Sequence, residues 1–124
     1  MENHRIMVVD DSRVAYAEMK MMLADSEMEI VAFCRSGEEA LQCYGEVRPD
    51  LVTLDIVMPG MDGMETCAKL REKWPDAKIC IVSSMAYDDM IQEAHRLGAK
   101  GFLFKPFTKE ALLSDLRAMF RPAE

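Results

Sequence analysis

The sequence predicts an α/β protein with a doubly wound, five-stranded parallel sheet and five helices. Three observations favour this fold class: five short apolar runs, five longer stretches with helical spacing, and the strict alternation of the two along the chain. Strands that alternate with helices form a parallel sheet with helices on both faces. The central strands of such a sheet are buried on both sides, which explains largely apolar runs such as LVTL at 51–54.

Each predicted strand is short, rich in β-branched or aromatic residues, and followed by polar or turn-forming residues. In open parallel sheets, ligands bind at the carboxyl ends of the strands, near the point where the strand order reverses. The ends of the five runs are therefore the first places to look for a functional site. The predicted strands are RIMVVD (5–10), EIVAFC (29–34), LVTLD (51–55), KICIVS (78–83) and GFLFK (101–105).

The helices are predicted from apolar spacing and from capping signals at their ends. The second helix opens with an S-x-x-E capping box, and the third opens with an Asp that is followed by Glu three residues later. The predicted helices cover about 13–25, open at Ser36, run from Asp62 to just before Pro75, cover about 87–97 up to Gly98, and open at Thr108. The predicted inner faces are Ala15, Met19, Met22 and Leu23; Ala40, Leu41 and Tyr44; Ile91, Ala94 and Leu97; and Leu112, Leu116, Met119 and Phe120.

Length and composition predict one domain, residues 1–124, in a cytoplasmic protein. The formal net charge of −7 argues against broad, non-specific nucleic-acid binding, which needs a basic face. No apolar run is long enough to span a membrane, and the N-terminal residues do not form a signal peptide. The four cysteines form no C-x-x-C pair, so we expect small buried thiols in a reducing compartment.

Ionisable and hydroxyl side chains collect at the carboxyl ends of four of the five predicted strands. Placed together at one edge of the sheet, they would form a cluster of acids, a hydroxyl and a cation, while the second strand ends in Cys34-Arg35 and adds nothing comparable. The residues are Asp10 and Asp11 after the first strand, Asp55 at the end of the third, Ser83 and Ser84 after the fourth, and Lys105-Pro106 after the fifth.

Three neighbouring carboxylates repel one another, and a hard divalent cation relieves that repulsion. Mg²⁺ prefers oxygen ligands and combines one or two carboxylates with waters and phosphate oxygens, and Mn²⁺ is the expected substitute. We expect Asp11 and Asp55 to bind the metal directly and Asp10 to bind mostly through water. The backbone carbonyl of Val57 would add another oxygen.

With the metal in place, one carboxylate can act as a nucleophile toward phosphorus and form an aspartyl-phosphate. Phosphoryl transfer depends mainly on positioning and on neutralising the phosphoryl oxygens. Lys105 can neutralise one oxygen as a point charge, and the Ser83 hydroxyl can donate to another. The sequence therefore predicts phosphorylation chemistry at this edge of the sheet.

The pattern VVDD…LDIVMPGMDG…IVSS…GAKGFLFKPF resembles the receiver domain of two-component response regulators, the CheY-like superfamily with a flavodoxin-like fold. The resemblance covers the chain from Arg5 to about Phe120 and is strongest to the single-domain chemotaxis type. It implies the strand order 2-1-3-4-5. It also implies a phosphorylation-activated switch that assists only its own phosphorylation and dephosphorylation and is otherwise not an enzyme.

The resemblance implies a role for each residue that matches the pattern. Asp55 would accept the phosphoryl group from a histidine kinase, and Asp10 with Asp11 would bind Mg²⁺. Ser83 would move toward the phosphoryl group, and Lys105 would contact that group. The peptide bond from Lys105 to Pro106 would be cis. Phe102 would be the aromatic residue that changes position when the switch is activated.

Two departures from the family pattern carry predictions. The positions two residues after Asp55 and two after Ser83, which tune dephosphorylation in the family, are the apolar Val57 and Met85. Neither can orient an attacking water, so we expect a long-lived phosphoryl group. Ile56 stands where the best-known chemotaxis member has Trp, and Trp74 is expected to lie far from the site.

The implied output surface consists of the fourth helix, the fifth strand and the fifth helix. The implied partners are a CheA-like histidine kinase as phosphodonor and a phosphorylation-dependent protein target such as a flagellar switch or a phosphatase. We expect a monomer with no nucleic-acid partner. The candidate contact residues are Tyr87, Met90, His95, Phe102 and Lys109.

Three alternatives remain open on the sequence. A haloacid-dehalogenase-type phosphohydrolase would use Asp55 as nucleophile, but it needs a second acid where Val57 stands. A flavodoxin-like cofactor binder needs a phosphate-holding loop where Asp10 and Asp11 would repel a phosphate. The chain could also be a receiver from a larger regulator or a phosphorelay intermediate; its RPAE end favours a standalone protein, although an excised domain would end in the same way.

Overall fold

The computed structural model of the chain describes residues 3–85 and 87–121, so the outer limits of the predicted 1–124 domain and most of the RPAE end lie outside the described residues. Within the described residues, five strands and five helices alternate, and the strands form one parallel sheet in the order β2-β1-β3-β4-β5. This confirms the predicted fold class and strand order. The strands are β1 (His4–Val9), β2 (Met28–Cys34), β3 (Leu51–Asp55), β4 (Ile79–Ser83) and β5 (Gly101–Phe104). The helices are α1 (Arg13–Leu23), α2 (Gly37–Val47), α3 (Gly63–Lys73), α4 (Asp88–Arg96) and α5 (Lys109–Met119).

The sheet separates two hydrophobic cores, one on each face. Side chains alternate along a strand, so Ile6 and Val8 of β1 join the core beneath α1 and α5, whereas Met7 and Val9 join the core beneath the other three helices. All four are almost completely buried. The continuous apolar run of β1 is therefore explained by burial on both faces.

The predicted capping signals form real hydrogen bonds. The hydroxyl of Ser36 accepts from the Glu39 N–H at 3.1 Å, and the Glu39 carboxylate in turn accepts from the Arg35 N–H at 2.6 Å. Asp62 accepts from the Glu65 N–H at 2.9 Å and so starts α3. The caps therefore set where these helices begin.

The first helix is shorter than the predicted range of 13–25, because Ala24 leaves the helical conformation and Asp25 has a positive φ of 62°. The fourth helix is less buried than expected. Ala94 is buried, but Ile91 and Leu97 are only half-buried. This helix packs at the edge of the sheet, where the sheet ends at β5, so its inner face is covered incompletely.

Candidate functional site

The register of the sheet brings four strand ends to one level. Val9 pairs with Leu54, and Asp55 pairs with Val82, which places the residues after β1 beside the end of β3. Ser83 pairs with Phe104. The predicted acids and Lys105 therefore leave the sheet along one edge, as expected for carboxyl ends of parallel strands.

Backbone hydrogen bonds fix the residues just past the ladder. The Asp10 N–H donates to the Cys34 carbonyl at 3.0 Å, which makes β2 a support for the acidic pair. The Lys105 N–H donates to the Ser83 carbonyl at 2.8 Å. The main chain of both charged residues is thus held by a neighbouring strand.

Three carboxylates meet at this edge. One oxygen from each of Asp10, Asp11 and Asp55 lies within 4.8 Å of the other two. The side chains of Asp10 and Asp55 are only 9% and 12% exposed, and Asp11 is half-buried. The Ser12 N–H donates to Asp10 at 2.9 Å and fixes the orientation of that carboxylate.

Lys105 spans two of the three acids. Its Nζ lies 3.2 Å from Oδ2 of Asp10 and 3.9 Å from Oδ1 of Asp55. The peptide bond between Lys105 and Pro106 is cis. One ammonium therefore faces three carboxylates, and the site carries an excess of negative charge.

Burial and this charge imbalance both raise the pKa of Asp55. Burial is the largest effect on Asp55, and the neighbouring Asp10 charge adds to it; together they raise the pKa of the Asp55 carboxyl to about 6. Lys105 lowers that pKa and Asp11 raises it further. The protein alone does not neutralise the charge that it gathers here.

The donor set fits a hard divalent cation. All three side chains offer carboxylate oxygens, which are the ligands that Mg²⁺ and Mn²⁺ prefer, and the described residues bring no thiolate or imidazole to the group. The raised pKa of Asp55 is the electrostatic signature of a site that a cation would stabilise. The residues present therefore fit the predicted metal.

The loop between β3 and α3 explains the tight turns that follow Asp55. Gly60 has a φ of +76°, a conformation that favours glycine. The Gly63 N–H donates to the Ile56 carbonyl at 2.9 Å, and a Cβ on Gly63 would collide with the Asp55 carbonyl oxygen and lie 2.7 Å from Ile56 Cα. The chain returns directly beneath Asp55, and only a glycine fits there.

Ser83 and Phe102 lie on the side of the site away from α1. Ser83 is 2% exposed, and its hydroxyl accepts a hydrogen bond from the Met85 N–H at 3.0 Å. Phe102 is half-buried with its ring centroid 4.9 Å from that of Phe104, and it pairs with Ile81, two residues below Ser83 on β4. In this conformation the Ser83 hydroxyl is hydrogen-bonded to the loop that follows β4.

The two residues expected to tune dephosphorylation are both exposed beside the site. Val57 is 61% exposed and Met85 is 37% exposed. Of the expected output-surface residues, Tyr87, His95 and Lys109 are exposed, and Met90 is half-buried. These positions lie on or next to α4, β5 and α5.

Trp74 lies at the opposite edge of the sheet. It caps the C-terminus of α3, and its ring is 4.6 Å from that of Tyr44. Of the four cysteines, Cys43 is half-buried, and all four are free thiols; the buried ones are Cys34, Cys67 and Cys80. Among the described residues, none of the helices has the length and apolar character needed to cross a bilayer.

One feature next to the site was not expected from the sequence. A cavity of about 330 Å³ opens between α1 and the segment after β5, and we call it the α1 cavity. Its apolar lining is Val8, Ala15, Met19, Met22, Pro106 and Phe107. The spacing of Ala15, Met19 and Met22 predicts one apolar face of α1. From the sequence alone, this face is predicted to be fully packed, because the pattern does not show that the segment after β5 leaves a gap against it.

The fold and site together define an α/β protein with a doubly wound parallel sheet and an acidic site at its carboxyl edge. Comparisons with known proteins identify its family. The sequence model described as response regulator receiver domain matches residues 6–117. The chain therefore belongs to the response regulator receiver family, whose members are signalling switches and not classical enzymes.

Individual relatives show the same similarity. The chemotaxis protein CheY of Listeria monocytogenes is 41% identical over 112 residues, which cover 90% of this chain and 94% of that protein. The response regulator MprA of Mycolicibacterium vanbaalenii is 37% identical over 94% of this chain but only 50% of that protein. Among solved structures, the CheX–CheY–BeF₃–Mg complex from Borrelia burgdorferi matches with a TM-score of 0.93 and 26% identity, covering 98% of this chain and 92% of that one.

Proposed function

We propose that this chain is a phosphorylation-activated response regulator in which Asp55 accepts a phosphoryl group from a histidine kinase, and that it acts in chemotaxis. The observation that carries the proposal is the grouping of Asp10, Asp11 and Asp55 within 4.8 Å, with the Lys105 ammonium against two of them. Similarity to CheY proteins over nearly the whole chain supports the chemotaxis role.

The same carboxylates would hold Mg²⁺ or Mn²⁺. Asp11 and Asp55 would be direct ligands, Asp10 would act mostly through water, and the Val57 carbonyl would contribute one oxygen. When bound, the ion would supply positive charge against the carboxylates and the phosphoryl oxygens. The raised pKa of Asp55 supports this assignment, because burial, its largest cause, and the Asp10 charge both disfavour a carboxylate that no cation neutralises.

The protein residues divide the chemistry among them. A carboxylate oxygen of Asp55 forms the bond to phosphorus, and the donor leaves with the electron pair of the bond that breaks. Lys105 exchanges its contacts with Asp10 and Asp55 for a phosphoryl oxygen. The Ser83 hydroxyl gives up its contact with the Met85 N–H and donates to the phosphoryl group.

The movement of Ser83 would shift the population toward an active form. Phe102, two residues below Ser83 in the paired register, would turn inward as the segment after β4 moves. The surface formed by α4, β5 and α5 would then be read by a target protein, with a flagellar switch component or a phosphatase as the candidate in a chemotaxis pathway. The weak burial of α4 supports this assignment, because a loosely covered helix moves at low energetic cost.

The proposal includes a single receiver domain over residues 1–124, a monomer in the cytoplasm, and a CheA-like kinase as phosphodonor. A receiver from a larger regulator is the second candidate, because MprA is similar to this chain over half of its own length. A phosphohydrolase is disfavoured, because Val57 occupies the position of the second acid and its apolar side chain faces solvent.

Intact mass spectrometry tests the proposal. The protein is incubated with acetyl phosphate with and without Mg²⁺, and the expected result is one phosphoryl adduct that requires both Mg²⁺ and Asp55. Asp55→Asn removes the nucleophile and should give no adduct. Asp76→Asn, an exposed aspartate before β4, is the matched control and should be phosphorylated like the wild type. An adduct that persists in Asp55→Asn, or its absence in the wild type, would overturn the assignment.

A further inference from the structure

The α1 cavity shares residues with the candidate phosphorylation site. Asp10 and Lys105 line the cavity and also belong to the group around Asp55. Asp55 does not line the cavity, but the Lys105 Nζ is 3.9 Å from its carboxylate. A molecule in the cavity that contacts this ammonium is therefore one side chain away from Asp55. The remaining polar lining consists of Glu18 and Ser84.

Most of the cavity wall is apolar. Val8 and Met19 form its buried floor, and the half-buried Met22 and Phe107 form two of its sides. A volume of about 330 Å³ lies at the lower end of the range of small-molecule pockets. The charged lining is Lys105 together with the carboxylates of Asp10 and Glu18, so Lys105 is the one lining residue that can pair with an anionic group. A ligand that fits has a short apolar body and an anionic end placed against Lys105.

We propose that the α1 cavity binds the leaving group of a small-molecule phosphodonor, and that it selects acyl phosphates whose acyl chain is apolar and longer than acetyl. This inference rests on the proposed function of Asp55. The phosphoryl group occupies the acidic site, and the acyl chain extends along α1 between Met22 and Phe107.

The transfer is balanced without a further reactant. A carboxylate oxygen of Asp55 bonds to phosphorus, the bond from phosphorus to the bridging oxygen breaks, and its electron pair leaves on the acyl carboxylate. No proton is taken up or released in this step. Lys105 borders both the cavity and the site. Its ammonium has three N–H donors, so it can hold a phosphoryl oxygen and also donate to the carboxylate as it departs.

The preference can be estimated from apolar burial. A fully buried methylene contributes a factor of about four, because it is worth about 0.8 kcal/mol of transfer free energy. The cavity is open on one side, so we expect butyryl phosphate, with two more methylenes than acetyl phosphate, to react about tenfold faster at equal low concentration.

The experiment measures second-order rate constants for adduct formation with butyryl phosphate and with acetyl phosphate, in the presence of Mg²⁺. The ratio of the two constants is the readout, because it cancels effects on the chemistry that both donors share. Met22→Gln places an amide in the cavity and should lower the ratio toward one. Met21→Gln, on the adjacent residue that is 77% exposed, is the matched control and should keep the wild-type ratio.

Two further measurements keep the inference falsifiable. Ala15→Leu fills the cavity from α1 and should also lower the ratio while acetyl phosphate still reacts. Butyrylphosphonate, in which a phosphorus–carbon bond prevents transfer, should shift the NMR methyl signals of Met19 and Met22 in the wild-type protein. The methyl signal of the exposed Met21 should stay in place.

The two proposals fail in different ways. If acetyl and butyryl phosphate react at the same rate, or if Met22→Gln and Ala15→Leu leave the ratio unchanged, the α1 cavity is not a leaving-group subsite. If neither donor modifies Asp55, the proposed function fails. The methyl signals of Met19 and Met22 then test, independently, whether butyrylphosphonate binds in the α1 cavity. A shift supports binding there, and the absence of a shift overturns it.

Discussion

Strand β3 is preceded by one aspartate, Asp50, and ends in another, Asp55, and the two have opposite surroundings. At the amino edge of the sheet, Asp50 accepts a hydrogen bond from the Arg5 N–H at 2.7 Å. At the carboxyl edge, burial raises the pKa of Asp55, and the charges of Asp10 and Asp11 raise it further. The same residue type therefore stabilises the protein at one end of the strand and destabilises it at the other.

The rest of the two edges follows the same division. At the amino edge, the ring of His4 stacks on that of Phe120 with centroids 3.9 Å apart, and Tyr44 packs against Trp74. At the carboxyl edge, Val57 and Met85 face solvent. The charged and aromatic residues named at the amino edge contact one another, whereas the carboxyl edge gathers like charges and exposes apolar side chains. Such concentrations of unfavourable interactions are typical of functional sites.

The largest expected effect follows Gly63→Ala. The new methyl group would collide with the Asp55 carbonyl oxygen and with Ile56, so the turn beneath the acidic site must move. We expect a loss of about 2–4 kcal/mol in the free energy of unfolding, measured by urea denaturation.

Gly45→Ala is the control near the amino edge. Gly45 lies in α2, where alanine is the better helix former by about 1 kcal/mol, and the nearest atom to its new methyl is a Trp74 ring carbon at 3.2 Å. We expect stability within about 1 kcal/mol of the wild type. Equal losses for the two variants would contradict the difference between the edges.

The second effect is a gain of stability in Asp55→Asn at neutral pH without metal. The pKa of Asp55 is raised to about 6 in the folded protein, so the folded state binds a proton more tightly than the unfolded state does. Between about pH 4 and pH 6 the wild type therefore loses stability as pH rises, and the loss is complete above that window. We expect Asp55→Asn to exceed the wild type by about 2 kcal/mol at pH 7 and by much less at pH 4.

Asp50→Ala tests the aspartate before the other end of β3 for comparison. It removes the acceptor of the Arg5 N–H, so it should lower the free energy of unfolding by about 1 kcal/mol at pH 7. Parallel urea titrations at both pH values measure the two variants. If both aspartate substitutions change stability in the same direction, the contrast between the edges is wrong.

The third effect concerns the lifetime of the phosphoryl group. Val57 and Met85 cannot hold an attacking water by hydrogen bonds, so the double variant Val57→Asn, Met85→Glu should lose its phosphoryl group about five- to tenfold faster, the equivalent of about one hydrogen bond. The decay of the adduct mass after removal of the phosphodonor measures the lifetime. Val14→Asn changes another exposed apolar residue, on α1, and should decay like the wild type. Equal decay in the double variant would refute the explanation.

The smallest effect is an expected absence of signal. Trp74 lies at the amino edge against Tyr44, so its fluorescence should not change when Mg²⁺ is added. A reporter at the carboxyl edge, Val57→Trp in a Trp74→Phe background, should respond to the same titration. A Mg²⁺-dependent change in the wild-type fluorescence would show that the two edges are coupled.

The sequence predicted much of the fold because local signals determined it. Apolar runs gave the strands, and side chains such as Ser36 and Asp62 gave the helix starts through hydrogen bonds within four residues. The strand order came from family resemblance, because alternation alone does not say which strands are neighbours. The burial of Ile91 and Leu97 was overestimated, because apolar spacing shows which face turns inward but not how completely a sheet edge covers it.

The sequence predicted which residues lie at the candidate site, but not the interactions between them. Chain position placed Asp10, Asp55 and Lys105 at strand ends, but the pairing of Lys105 with Asp10 depends on distances that no spacing encodes. The α1 cavity was missed because it forms between segments more than eighty residues apart in sequence, Met22 and Phe107 among them. Helical spacing gave Met22 a place on the inner face of α1 and could not show that this face leaves a gap.

The most direct test of the account is the stability of the protein at pH 7 as a function of Mg²⁺ concentration. If the acidic group is a metal site, the free energy of unfolding of the wild type should rise with Mg²⁺, by about 1.4 kcal/mol at ten times the dissociation constant. The rise should be retained in Asp50→Ala and be much smaller in Asp55→Asn. A wild type that does not respond to Mg²⁺, or an equal response in Asp55→Asn, would contradict the claim that the carboxyl edge is built to bind a cation around Asp55.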